Sequence, residues 1–358
     1  MPAPPPSAPT APGLPPAADP WVLRCRGRVL DCRPGRVHVM GILNVTPDSF
    51  SDGGLHATLE AALARAEVMA AEGAAIIDIG GESTRPAGAA YGAGAQPVSA
   101  AEEMDRVLPV VEAVARALPQ VLLSIDTYKA DVAREALRAG AHLVNDVSGL
   151  REGIGTARAA AAFGAALVVM HARGRIGAAP GGASHPHEAP AHRAGRGGRA
   201  GTHDVLAEVA DALARSVQAA EAAGVAHVVV DAGFGFGKAA AENLRLVAET
   251  DRLRARLGRP VLVGVSRKRT VGEVLGAPGA PAPVEARLFG SLGLAAVAAL
   301  RGAAIVRVHD VRPTTELLAT LRAAEAARVP GQALAQPCPP PAPGNPAATG
   351  QALGEVGA

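Results

Sequence analysis

Short apolar runs that end abruptly in polar clusters recur eight times along the chain. They are VHVMGILNVTPD from Val37, AAIIDIGGESTRP from Ala74, VLLSIDTYK from Val121 and AHLVNDVSG from Ala141. AALVVMHAR from Ala165, AHVVVDAGFGFGK from Ala226, PVLVGVSRKR from Pro260 and AAIVRVHDVRP from Ala303 complete the set. Between them lie Ala- and Leu-rich stretches with charges at helical spacing. Strands buried on both faces read as continuous apolar runs, and alternation with helices makes them parallel. Eight such units predict an α/β fold, a (β/α)8 TIM barrel, whose active site gathers at the C-terminal ends of the strands. The polar clusters sit at those ends, so the candidate chemistry does too.

The spacing predicts helices over Ala57–Ala71, Ala101–Leu118, Asp131–Ala139 and Gly155–Phe163. Further helices are expected over Asp204–Ala223, Ala240–Leu257, Pro283–Arg301 and Thr314–Arg328. Ser99 with Glu102 three residues on reads as a capping box. Trp21 to Arg36 reads as a short hairpin or plug at the bottom of the barrel. Residues 1–20 and 329–358 are Pro/Ala-rich and aperiodic, which predicts disordered tails around a single barrel over 21–328. One connection is out of scale: Arg173 to His203 is a Gly/Ala/Pro-rich stretch with five arginines and four histidines. Its His185, His187, His192 and His203 match no compact zinc site, and only Glu188 is acidic. An Arg-rich nucleic-acid arm would want aromatic residues to stack bases, and there are none. A flexible insertion is the favoured reading.

Composition narrows the setting. With 358 residues and a formal net charge of +2, nothing global recruits nucleic acid or an anionic membrane. Cys25, Cys32 and Cys338 form no disulfide framework, and an odd count suits a reducing cytosol. No basic, apolar leader opens the chain and no apolar run is long enough to span a bilayer, so a soluble, cytoplasmic protein is expected. All but three of the 35 basic residues are arginine. The three lysines, Lys129, Lys238 and Lys268, all fall in or just after a strand-end cluster. For Lys129 and Lys238, chance placement and a site role both stay open. Lys268 stands apart, because a compact ammonium does what a planar guanidinium cannot in a buried pocket.

Seven motifs in order carry a specific resemblance: GILNVTPDSFSDGG (Gly41 to Gly54), GGESTRP (Gly80 to Pro86), SIDT (Ser124 to Thr127), NDVSG (Asn145 to Gly149), GFGFGK (Gly233 to Lys238), SRK (Ser266 to Lys268) and RVHDV (Arg307 to Val311). The set resembles the dihydropteroate synthases, the pterin-binding barrel enzymes of folate biosynthesis, over the whole barrel. That resemblance implies condensation of 6-hydroxymethyl-7,8-dihydropterin diphosphate with 4-aminobenzoate, giving 7,8-dihydropteroate and diphosphate. It also implies a homodimer.

A pterin presents two adjacent N–H donors and a carbonyl, and a carboxylate can accept both donors. Asp126 and Asp231 are the candidates, with Asn145 supplying both donor and acceptor. By resemblance Asp231 grips the pterin, Lys268 donates to its carbonyl or ring nitrogen, and Thr84, Met170 and Phe236 complete the substrate-binding set. Arg307 and His309 alternate along the last strand and so share a face. With Arg85 they are expected to meet the departing diphosphate, and Asn44 with one Mg²⁺ would finish the clamp. The catalytic set is thus Arg85, Lys268, Arg307 and His309. The aniline nitrogen is already nucleophilic, so positioning and electrostatics suffice.

Three residues depart from the resembled pattern. Ala232 stands where a proline is usual, Tyr128 where many members carry Ser, and Arg269 where many carry Ser near the aminobenzoate carboxylate. Two rival readings remain: a pterin-binding methyltransferase barrel, and a non-catalytic pterin-binding paralogue.

Overall fold

The computed structural model describes residues 19–45, 54–82, 98–174 and 204–327. An antiparallel hairpin, β1 (Val22–Cys25) and β2 (Arg28–Asp31), comes first. Eight parallel strands follow: β3 (His38–Asn44), β4 (Ile76–Gly80), β5 (Leu122–Asp126), β6 (Leu143–Asp146), β7 (Ala166–Met170), β8 (Val228–Asp231), β9 (Val261–Val263) and β10 (Ile305–Val308). They pair in sequence order, and β10 closes on β3 to complete the barrel. These are the eight apolar runs, each nearly continuous because one face meets the barrel interior and the other the helices.

Period two divides those faces. Ile77, Ile79, Leu123, Ile125, Val144, Leu167 and Val230 pack outward against the helices. Met40, Ile76, Leu122, Leu143, Val168, Val229, Leu262 and Ile305 point inward and fill the lower barrel. Leu23, Cys25, Leu30 and Cys32 of the hairpin join that inner cluster, so the hairpin is the expected plug. Arg26, at the hairpin turn with φ 51°, straps it down by donating Nη1 to the carbonyls of Leu137 at 2.6 Å and Ala141 at 2.5 Å.

The helices are α1 (Gly54–Ala71), α2 (Ala100–Ala117), α3 (Ala130–Ala139), α4 (Gly155–Phe163), α5 (Val205–Ala222), α6 (Ala240–Ala248), α7 (Thr250–Leu257), α8 (Arg269–Leu275), α9 (Leu288–Leu300) and α10 (Val311–Ala326). Three expectations need correction. The helix read over Ala240–Leu257 is two, broken at Glu249, whose backbone leaves the helical region at φ −111°. The Thr250 hydroxyl then caps backward onto the Val247 carbonyl at 2.9 Å. The short α8, starting directly after Lys268, was not expected, because seven residues give too little periodicity to read. The capping box at α2 is half formed: Ser99 accepts from the Glu102 amide, while the Glu102 carboxylate pairs with Arg106.

Among the described residues no helix is long and apolar enough to cross a membrane. Of the expected tails and the Arg173–His203 insertion, residues 1–18, 175–203 and 329–358 lie outside the described residues.

Candidate active site

Inward-facing positions change character near the C-terminal ends of the strands. Along β4 the inner face reads Ile76, Asp78, Gly80; along β5, Leu122, Ser124, Asp126; along β10, Ile305 then Arg307. The apolar floor therefore gives way, one step up each strand, to a buried polar layer. Asp78 and Ser124 have no exposed surface, and Asn145, Asp126 and Asp231 are buried beside them.

Arg307 organises the layer. Its Nε donates to Asp78 Oδ2 at 2.6 Å and its Nη2 to Asp126 Oδ2 at 2.6 Å. Burial works against its charge, but Asp78 and Asp126 outweigh that and hold it above the ordinary arginine range. Asp78 Oδ2 also accepts from Asn145 Nδ2 at 3.0 Å. The second oxygens, Asp78 Oδ1 and Asp126 Oδ1, are buried without a hydrogen-bond partner. Such atoms are costly to keep and mark places where a donor is missing. Desolvation raises the Asp126 carboxyl to about 7, against the pull of Arg307 and with the push of Asp78.

A second pair stands across the mouth. Asp231, ending β8, is raised by burial, although Lys268 and the Gly233 amide favour its ionised form. Its Oδ1 accepts from that amide at 2.7 Å. Lys268 Nζ donates to the Phe234 carbonyl at 2.5 Å and lies 4.7 Å from the centre of the Phe236 ring. Burial lowers this ammonium to about 8, against the attraction of Asp231. Met170, in register with Asp231, forms an apolar wall with Val147 and Ala172, against which Phe236 and Tyr128 pack.

The strand-end loop after β8 is a braced turn. Gly233, Gly235 and Gly237 all have positive φ, at 68°, 85° and 72°. Lys238 curls back and donates Nζ to the carbonyls of His171 at 3.1 Å, Gly233 at 2.9 Å and Phe236 at 3.3 Å. It ties the loop internally, which gives it a structural place. Lys129 likewise sits between Glu82 and Glu103, at 2.5 Å from each. Tyr128 donates its hydroxyl to Glu82 at 3.2 Å.

Several expectations change on contact with this geometry. Arg307 does not stand free for a diphosphate, since two carboxylates hold it in the floor. His309 follows the end of β10, with Nδ1 3.1 Å from the Ser266 hydroxyl. Asn145 gives one N–H of its amide to Asp78, which turns the amide oxygen away from that carboxylate. Arg269 is exposed and pairs with Glu273 at 2.8 Å. Asp78 and Ser266 were missed, although Asp78 was legible as a lone charge inside an apolar run. Thr84 and Arg85 lie outside the described residues, as do His185, His187, His192 and His203.

Asn44 ends β3, in register with Gly80 and, through it, Asp126. A Cβ on Gly80 would lie 3.7 Å from Asp126 Oδ2 and 3.8 Å from Asn44 Oδ1. Two hard oxygens thus border one gap that a glycine leaves open. Among the described residues no group of three His, Cys, Asp or Glu could hold a metal by itself.

The family model described as "Pterin binding enzyme" matches residues 40–309, from the first barrel strand to the histidine after the last. The chain belongs to the pterin-binding enzyme family. Among these enzymes it is 42% identical over 293 residues to the dihydropteroate synthase of Escherichia coli K12, covering 81% of this chain and 93% of that one. It is 41% identical over 290 residues to the dihydropteroate synthase of a Streptococcus pyogenes serotype M6 strain, covering 80% and 95%. Two solved structures of the Xanthomonas albilineans dihydropteroate synthase share the pterin-binding barrel. One, with 4-aminobenzoic acid, superposes with a TM-score of 0.71 at 42% identity, covering 86% of this chain and 99% of that one. The other, in complex with 7,8-dihydropteroate, gives 0.68 at 39% identity, covering 86% and 100%.

Proposed function

We propose that this pterin-binding enzyme is a dihydropteroate synthase. It joins 6-hydroxymethyl-7,8-dihydropterin diphosphate to 4-aminobenzoate, with release of diphosphate. The observation that carries the reading is the pair of polar stations at one barrel mouth. Asp231 with Lys268 stands near the orphaned oxygen of Asp126 beside Arg307, and Met170 and Phe236 supply an apolar wall. A flat ring rich in N–H donors on one edge and carrying one carbonyl satisfies all of these at once.

In this reading Asp231 takes the adjacent N–H pair of the pterin and Lys268 its carbonyl. Asp126 and the Asn145 oxygen take further donors, while Met170 and Phe236 pack on the ring. The aniline nitrogen attacks the pterin methylene carbon as its C–O bond to diphosphate breaks, and the new C–N bond sheds a proton to solvent. No nucleophilic side chain is required. Arg85, Arg307 and His309 stabilise the departing charge, Arg307 from the floor it shares with two carboxylates.

The oxygen donors around Gly80 fit Mg²⁺, which favours few protein oxygens together with phosphates and waters. Asn44 would hold it, and the ion would neutralise charge on the diphosphate. Calorimetric titration of Mg²⁺ in the presence of diphosphate should give weaker binding for Asn44→Ala than for the parent chain.

Assembly as a homodimer is supported by α9, where Phe289 is 81% and Leu300 58% exposed, next to Val274 of α8 at 57%. An apolar patch of this kind is characteristic of a face covered by a partner. A cytoplasmic location is supported by the buried, unpaired Cys25 and Cys32. We read residues 21–328 as one barrel domain.

Diphosphate release measured with both substrates tests the activity. Release dependent on 4-aminobenzoate supports the synthase. Pterin binding without release would favour the non-catalytic paralogue, and methyl transfer to or from the pterin would favour the methyltransferase. Arg307→Ala and His309→Ala sharpen the test. Each should lower turnover by ~10²-fold while affecting binding of the bare pterin alcohol far less. An equal loss in both would make them part of the pterin pocket instead.

A further inference from the structure

We propose that Asp78 is the positioning residue of this site. A buried carboxylate beneath the mouth, it fixes which end of the Asn145 amide faces a bound pterin and where the Arg307 guanidinium stands. The inference rests on the pterin-binding mode above, and it adds a residue that touches no ligand.

Asp78 has no exposed surface, so a ligand atom reaches it only after its neighbours move. One oxygen, Oδ2, receives both Asn145 Nδ2 at 3.0 Å and Arg307 Nε at 2.6 Å. That oxygen already accepts from the Arg307 guanidinium, so the NH2 end of the Asn145 amide, and not its oxygen, faces it. Turning that amide over would set two oxygens against each other in a dry site. The Asn145 oxygen is therefore the end left for a ligand, and it is an acceptor matched to a pterin N–H. The same oxygen fixes the plane of Arg307. With Nε on Asp78 and Nη2 on Asp126, the guanidinium is clamped at two of its three nitrogens. The contacts come from β4, β6 and β10, so one side chain co-ordinates three separate walls of the barrel. Asp78 thus supplies to two ligand-facing residues the support that preorganised sites require.

The test is a double-mutant cycle read by calorimetry with 6-hydroxymethylpterin, which carries no diphosphate. Asp78→Asn keeps the shape, removes the charge and leaves either end of the Asn145 amide acceptable. It should weaken pterin binding about tenfold, as expected for loss of a charge-assisted contact. In the Asn145→Ala background the same substitution should change affinity less than about twofold, because the residue through which Asp78 acts on the pterin is gone. An equal loss in both backgrounds, or none in the parent, would overturn the proposal. If Asp78→Asn does not fold, the Asn145 side-chain amide of the parent chain gives the reading by NMR. Slow exchange of that NH2 with solvent is expected, and fast exchange would overturn the assignment. Turnover of the parent chain is measured alongside. Its absence would sink the synthase reading, while the cycle on pterin binding still decides the role of Asp78.

Discussion

Lys268 stands over the Phe236 ring, its ammonium nitrogen 4.7 Å from the ring centre and hydrogen-bonded to the carbonyl of Phe234. The same loop thus offers the cation both a π-face and a lone pair. Burial still lowers it to about 8 from 10.5. Pterin affinity should fall as pH rises through that value, because the neutral amine is the weaker donor, while Asp126, raised to about 7, sets a separate limb below it. Stability has the opposite slope. Between about 8 and 10.5 the unfolded lysine keeps a proton that the folded one has shed, so stability rises with pH there. Pterin titrations from pH 6 to 10 check this, and Lys268→Met should erase the alkaline limb alone.

Asp231→Asn should abolish tight pterin binding and leave the fold intact. The amide turns an NH2 toward one of the pterin's own donors, at a cost of ~3 kcal/mol or more for the group left unpaired. Calorimetry against the pterin alcohol, with thermal unfolding as the control, reads the outcome. Unchanged affinity would move the pterin site elsewhere.

Lys238→Met should behave differently from Lys268→Met. Three carbonyls lose their shared donor, so the loop after β8 should loosen, with a stability loss of about 1–3 kcal/mol. Denaturant midpoints should therefore drop for this variant, and saturating turnover should change less than the Michaelis constant for the pterin substrate.

Gly233→Ala tests the tightest approach in the mouth. Its Cβ would lie 1.7 Å from the His171 carbonyl oxygen, at φ 68°. Both the overlap and the backbone conformation disfavour any side chain, and relief requires moving β7 or the loop itself. The expected result is a loss of several kcal/mol together with pterin binding, measured by unfolding and calorimetry. Gly235→Ala meets only the flexible Lys268 side chain, at 3.2 Å, and should cost less.

The barrel was legible because eight apolar runs, each closed by polar residues, leave few other architectures. The hairpin plug was legible because Leu23, Cys25, Leu30 and Cys32 alternate with polar neighbours and need an apolar surface to meet. Asp231, Lys268, Asn145 and Asp126 could be placed at the mouth because each ends or follows a strand. Partnership was not legible. That Arg307 pairs with Asp78 and Asp126 depends on the radius of the barrel and the shared height of β4, β5 and β10. Lys129 and Lys238 looked alike in the sequence. One holds two carboxylates and the other three carbonyls, a difference set by loop closure. The break at Glu249 was hidden because both sides of it keep helical spacing.

Arg307 and Asp78 are separated by 229 positions along the chain. During synthesis, the segment bearing Asp78, Asn145 and Asp126 leaves the ribosome long before the cation that neutralises it. Until β10 arrives, β3 also lacks its neighbour, and the inner layer holds Asp78 and Asp126 with no cation between them, only the Asn145 amide on Asp78. A chain stopped short of residue 307 would thus have to close its barrel over uncompensated charge, at a cost of several kcal/mol. Completion of the chain and completion of the site become the same event. Quality control then has a physical basis: fragments stay open and open to proteolysis, and a protein that holds its shape has been made to the end of its last strand.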